Sequence, residues 1–216
     1  MKAKIIRLAK DKNSCELADD CITQAKKFNL LVEKFDALDG EEATEFFAKE
    51  NISRLDIKMR DTPGLRGCVA SHIILWKECV RDNIPYLILE HDGYMIREIP
   101  NIESQSFDVI KLDNKNPYDE HYSRDVETNY DNELISYNSK ITKKGPYGGY
   151  GIGAYCYIIT PIGAKKLVEA VHTNGWLKPD TQLGMKLLDI KTFNNSIFRL
   201  HPKFHWLNIK SLSMTR

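Results

Sequence analysis

Nowhere does the sequence carry an apolar run approaching the ~20 residues that a membrane-crossing helix needs. Its first ten residues also lack the apolar core of a secretion signal. A soluble, cytoplasmic protein is therefore expected, with no transmembrane segment and at most a peripheral membrane contact. An excess of charge of one sign is missing too: 31 basic residues stand against 30 acidic ones, a net charge of +1, and Lys143-Lys144 and Lys165-Lys166 are too short to act as basic runs. That balance gives no support to nucleic-acid binding, which rests on a clustered positive surface. The five cysteines are odd in number and loosely spaced, so neither a disulfide framework nor a paired-cysteine zinc site is suggested. Cys68, Cys79 and Cys156 sit in apolar surroundings and read as buried thiols of a reducing compartment. No internal repeat and no low-complexity linker divides the 216 residues, which read as a single domain.

What is present is an alternation of short apolar strands and amphipathic helices. Residues 4–8 read as a strand and 14–28 as a helix with Ser14 at its N-cap. Residues 30–37 read as a second strand, closed by the Asp39-Gly40 turn, and 41–50 as a second helix. Residues 51–63 are polar and mixed and read as a loop or a short extra element. The helix expected over 67–81 has two apolar stripes, one of Cys68, His72, Leu75 and Cys79 and one of Val69, Ile73, Trp76 and Val80, so it packs on more than one neighbour. Residues 86–89 form a continuous apolar run, as in a central strand covered on both faces. Residues 107–112 repeat that pattern and end in Asp113. Residues 114–146 are irregular and read as a long loop or small lobe. A strand over 155–159 is followed by a helix with Thr160 as N-cap, Pro161 in the first turn and Ala164, Leu167, Val168 and Val171 on one face. Pro179-Asp180 opens another helix, and 198–206 form a last strand or loop. The whole is an α/β pattern with a mostly parallel central sheet.

In such sheets ligands bind beyond the carboxyl ends of the strands. Glu90 and Asp92 lie at that end of the most apolar strand. Carboxylates there are costly unless a cation or hydrogen-bond donors compensate them, and hard cations such as Mn²⁺ or Mg²⁺ take oxygen ligands, commonly one or two carboxylates plus substrate phosphates. Alone, Glu90-His91-Asp92-Gly93 reads as a solvated turn. Its neighbours change that reading. Gly67-Cys68-Val69-Ala70-Ser71-His72, followed by Leu87-Ile88-Leu89-Glu90-His91-Asp92, resembles glycosyltransferase family 25, in which a G-C-x-x-S-H helix leads to a strand ending in E-D-D. Phe35-Asp36-Ala37-Leu38-Asp39-Gly40 is similar to the family's early F-D-A-x-D-G segment. Tyr155 to Ile159 with Gly163-Ala164-Lys165-Lys166-Leu167 is similar to its later strand and G-A-x-K-L helix, and Pro179-Asp180 to its late P-D element.

The resemblance implies a GT-A type, Rossmann-like nucleotide-sugar-binding domain. It implies an inverting, metal-dependent transfer of galactose or glucose from a UDP-sugar donor to a glycan or glycolipid acceptor such as lipooligosaccharide. Asp92 and Glu90 would hold Mn²⁺ or Mg²⁺. Ser71, His72, Glu90 and His91 would serve the donor, with Asp180 as catalytic base. The sequence departs from the family at His91, where Asp is usual, and at Arg7, where Asn is frequent. The glycine-rich segment 145–153 precedes a strand, so it is not a dinucleotide fingerprint; Tyr147, Gly149 and Tyr150 are expected in a loop over the acceptor or sugar. His91 keeps open a second reading, a catalytically degenerate sugar-nucleotide or glycan-binding module. A two-metal phosphoesterase is disfavoured by the lack of a second dense Asp/His cluster.

Overall fold

The computed structural model describes residues 1–55, 61–113, 134–136, 153–184 and 186–203. In chain order the elements are β1 (Lys2–Arg7), α1 (Lys12–Lys26), β2 (Glu33–Asp36), α2 (Gly40–Lys49), α3 (Pro63–Asp82), β3 (Tyr86–Glu90), β4 (Gly93–Met95), β5 (Val109–Lys111), β6 (Leu134–Ser136), β7 (Cys156–Ile159), α4 (Pro161–Asn174), α5 (Pro179–Leu183), β8 (Ile190–Phe193) and β9 (Phe198–Leu200). Seven strands form one sheet in the order β2-β1-β3-β7-β5-β8-β6, and β4 pairs with β9 in a small second sheet. Five strands of the large sheet point the same way, while β7 and β6 run against them. The sheet is thus mostly parallel in direction, but β7 inserts antiparallel between β3 and β5 at its centre.

The two faces of the sheet separate cleanly because strand side chains alternate. Ile6, Tyr86, Ile88, Tyr157, Ile159 and Ile190 face α2, α3 and α4. Ala3, Ile5, Leu87, Leu89, Ile110, Cys156 and Ile158 face α1 and the β4–β9 ribbon. Each fully buried Leu or Ile of this kind stabilises by roughly 1.5–3 kcal/mol. The expectation of buried thiols holds: Cys68, Cys79 and Cys156 are buried, and all five cysteines are free.

Several helix ends correct the sequence reading. Asp11, not Ser14, caps α1: its carboxylate accepts from the Ser14 backbone N–H at 2.8 Å, while the Ser14 hydroxyl accepts from Leu8 N–H at 2.8 Å and ties the helix to the end of β1. Asp39 caps α2 in a reciprocal box with Glu42. α3 begins at Pro63, earlier than its apolar stripes suggest, because Thr62 accepts from Leu65 N–H and Pro63 fits the first turn. β2 is confined to Glu33–Asp36 and β5 to Val109–Lys111, since only those residues find ladder partners. β4, β6 and β8 were not foreseen; each has three or four residues, too few for a periodic signal. Most of the irregular region 114–146 lies outside the described residues, as does the glycine-rich loop with Tyr147, Gly149 and Tyr150.

Two glycines explain how closely the layers approach. A Cβ on Gly67 would stand 2.2 Å from the Leu38 carbonyl oxygen, and one on Gly163 would stand 2.5 Å from that of Asp108. Hydrogen alone fits at either place, so α3 and α4 each rest a backbone edge directly against a neighbouring segment.

Candidate functional site

Glu90, His91 and Asp92 end β3 at the carboxyl edge of the sheet, the edge that also carries the last residues of β1, β2 and β5 and the first of β7. The turn is held from both sides. Glu90 N–H donates to Tyr155 O at 2.8 Å, and His201 N–H donates to Asp92 O at 2.7 Å. The Glu90 side chain keeps 13% of its surface, whereas Asp92 keeps 6% and His91 1%. Removal from water raises the Glu90 carboxyl to about 7 and that of Asp92 to about 6, the Glu90 charge adding to the second shift. His91 is pushed down by burial, and neither of its ring nitrogens has a hydrogen-bond partner among the described residues.

Asp180 joins this group from α5. It is not an N-cap: that position is Lys178, and no side chain caps the helix. The Asp180 carboxylate instead accepts from Ala154 N–H at 2.8 Å, which ties α5 to the entry of β7. The residue is exposed, yet enough protein surrounds it for desolvation, with the Glu90 charge, to raise its carboxyl to about 6. Glu90, Asp92 and Asp180 thus form one mutually repelling set of carboxyls.

Such a set suits a divalent cation. Oδ1 of Asp92 is buried with no hydrogen-bond partner among the described residues, a full ligand position for a hard cation. Oε1 of Glu90 also lies within 4.8 Å of Cys68 Sγ and His72 Nε2, a softer donor set.

Ser71 and His72, expected to line the donor side, are both fully buried and work from behind the triplet. The Ser71 hydroxyl donates to Gly67 O at 2.7 Å and accepts from Leu38 N–H at 3.1 Å. With Gly67 against Leu38 O, it clasps the 35–40 segment to α3. His72 places Nε2 3.2 Å from Glu90 Oε1 and Nδ1 2.8 Å from the Tyr157 hydroxyl, whose oxygen accepts from Trp76 Nε1–H at 2.9 Å. Burial lowers the His72 imidazole to about 4, so the ring is neutral at physiological pH. Tyr157 and Trp76 escaped the sequence reading because each sits in an apolar run. The available signal was an indole and a phenol among apolar residues, groups that seek a polar partner when buried.

One strand away from Glu90, a cleft of about 280 Å³ opens beyond β1 and β2, lined by Leu8, Lys10, Asp36, Ala37, Leu38 and Asp39 among others. The ladder sets Ile6 beside both Phe35 and Glu90, so cleft and triplet share an edge. Arg7, the other departure from the family pattern, pairs with Asp36 at 2.7 Å across that ladder. Lys10 pairs with Asp39 at 2.9 Å at the cleft.

A family model described as glycosyltransferase family 25 (LPS biosynthesis protein) matches residues 5–181, from β1 through the Asp180 helix. The chain is 26% identical over 184 residues to the lipooligosaccharide biosynthesis protein lic2B of Haemophilus influenzae, a match covering 81% of this chain and 65% of that protein. The chain thus spans about two thirds of the length of that curated relative. With a match over so much of its length, the chain belongs to glycosyltransferase family 25.

Proposed function

We propose that the protein is a GT-A type glycosyltransferase that moves a hexose, galactose or glucose, from a UDP-sugar to a glycan acceptor, with inversion at the anomeric carbon. The acceptor is of the lipooligosaccharide kind, which agrees with the name of the relative, a lipooligosaccharide biosynthesis protein. Among the described residues no helix is long and apolar enough to cross a membrane, so a lipid-linked acceptor would be met by peripheral contact from the cytoplasmic side.

The observation that carries the reading is the set of three desolvated carboxyls beside an open cleft at the carboxyl edge of the sheet. Clefts at that edge suit nucleotides. The nucleoside belongs in the cleft by Leu8 and Leu38, with the diphosphate toward Asp92. Asp92 and Glu90 are the residues that would hold Mn²⁺ or Mg²⁺, whose charge would offset that growing on the departing diphosphate. Asp180 accepts the proton of the acceptor hydroxyl while that oxygen attacks the anomeric carbon from the face opposite the UDP. The glycosidic bond to UDP breaks, and its electron pair leaves with the diphosphate. Ala154 N–H keeps one Asp180 oxygen occupied and so orients the carboxylate.

A UDP-hexose panel with Mn²⁺, read as free UDP with and without glycan acceptors, tests the reading. Acceptor-dependent UDP release that Asp92→Asn abolishes is the expected result. Equal behaviour of the variant and the native protein across the panel would sink it. Tight UDP-sugar binding without turnover would instead favour the non-catalytic module, whose motivating observation is His91 in the triplet.

A further inference from the structure

We infer that Trp76, Tyr157 and His72 form a directional hydrogen-bond relay that holds Glu90 in place, making the buried His72 a positioning residue of the donor site. The inference rests on Glu90 serving that site. It follows from counting hydrogens. An indole N–H can only donate, so the Tyr157 oxygen accepts from Trp76 at 2.9 Å. Tyr157 has one hydrogen of its own and is fully buried. Among the described residues the only acceptor offered to that hydrogen is His72 Nδ1, at 2.8 Å. With Nδ1 accepting, the single proton of a neutral imidazole resides on Nε2, where it donates to Glu90 Oε1 at 3.2 Å. Every group in the chain is then satisfied, and the relay ends on a carboxylate.

The reverse polarity fails at two points. A proton on Nδ1 would make Tyr157 accept twice and strand its buried hydrogen. It would also turn the bare Nε2 lone pair toward the Glu90 oxygen whenever that carboxyl is ionised. The same objection applies to a thiophilic cation held by Cys68, His72 and Glu90, although their ligand atoms lie within 4.8 Å of one another. Coordination through Nε2 would move the ring proton to Nδ1 and strand the Tyr157 hydrogen. The relay therefore keeps Nε2 occupied and reserves the Glu90 carboxylate for the ligand side. No partner of its second oxygen lies among the described residues.

The relay also gives a reason for the helix spacing. His72 and Trp76 stand four residues apart on α3, one turn of one face. The antiparallel register that sets Tyr157 beside Ile88 brings its hydroxyl beneath both. Three elements thus converge to orient one carboxylate, as outer-shell partners orient the ligands of a metal site.

Nitrogen-15 NMR of the histidine ring of the full chain, with the signal assigned by its loss in His72→Gln, reads the proton position directly and needs no activity. The expected result is a proton on Nε2 and a bare Nδ1. A proton on Nδ1 overturns the relay, whatever the donor screen shows. Calorimetry with UDP and Mn²⁺ then reads its role. His72→Phe is expected to lose roughly 10–100-fold in affinity, and His72→Gln, whose amide can still donate to Glu90, to recover most of it. Tyr157→Phe, which deletes only the hydroxyl, is expected to release the ring from a single tautomer. Unchanged affinity in His72→Phe, with native protein that binds, overturns the positioning role. Absence of binding by the native protein would count against the donor reading and leave the NMR result to decide the relay.

Discussion

At the scale of single residues, the role proposed for Asp180 as the base is the most direct to test. Replacing it with Asn keeps the bond to Ala154 N–H and removes the base. Turnover should fall by roughly 10²–10⁴-fold with donor KM nearly unchanged, measured by steady-state UDP release. The carboxyl is raised to about 6 and must be ionised to accept a proton. Measured with donor and Mn²⁺ saturating, so that Glu90 and Asp92 stay ionised, the native rate should therefore rise around pH 6 and level above it, and Asp180→Asn should lose that limb. Gly67 tests packing instead of chemistry. Its missing Cβ would lie 2.2 Å from Leu38 O, and backbone cannot step aside as a side chain can. Gly67→Ala should cost roughly 1–3 kcal/mol, seen as a lower urea midpoint. Glu90, Asp92 and Asp180 could be picked out in the chain because acids at strand ends and helix starts are conspicuous among apolar runs. Tyr157 could not, since nothing in Cys156-Tyr157-Ile158-Ile159 announces that one hydroxyl lies beneath a helix that begins ninety-odd residues earlier.

Among the elements, α3 does most to build the site and was among the easiest to foresee. Eleven of its residues are buried, and that breadth is what the double apolar stripe encodes. Its ends were harder, because Thr62-Pro63 looks like loop until the cap is seen. The C-terminus closes on Asn83 at φ 53°, in the left-handed region. Asn tolerates that conformation, Gly prefers it and a β-branched residue resists it. Asn83→Gly should be nearly neutral, while Asn83→Val should lose roughly 1–2 kcal/mol, with thermal melts separating the two. The strands divide in the same way. β3 declares itself by a continuous apolar run, whereas β8, Ile190-Lys191-Thr192-Phe193, interleaves polar residues and exists because β5 and β6 pair with it.

For the whole molecule, the site is a stability cost as well as an asset. Glu90 titrates at about 7 in the folded chain, against 4.5 for the free side chain. Between those values the folded state holds a proton that the unfolded state has lost. Folding stability should therefore decline as pH rises from about 4.5 to about 7, by up to about 3 kcal/mol from this group. Asp92 and Asp180 act in the same sense. A divalent cation binding only the folded form should oppose the loss by mass action. Denaturant titrations over that pH range, with and without Mn²⁺, should show the decline and its reversal. A flat profile would remove the buried-carboxyl account.

β7 reverses direction at the middle of the sheet, and its position has a consequence for how the chain is made. β3 and β5 are both complete before β7 exists, and each needs β7 as its neighbour. The 65 residues from His91 to Tyr155 must be synthesised before that neighbour arrives. At ~5–20 residues per second on a ribosome, this takes roughly 3–13 s. Through that interval the continuous apolar strand β3 has one edge without a partner, and once made β5 waits with both edges open, because β8 on its other side follows later still; unpaired apolar edges invite pairing between chains. A product ending at residue 113 should accumulate as aggregate on size exclusion, whereas the full chain should not. The strand that closes the sheet beside Glu90 thus also covers the last open edge of β3 in the nascent chain.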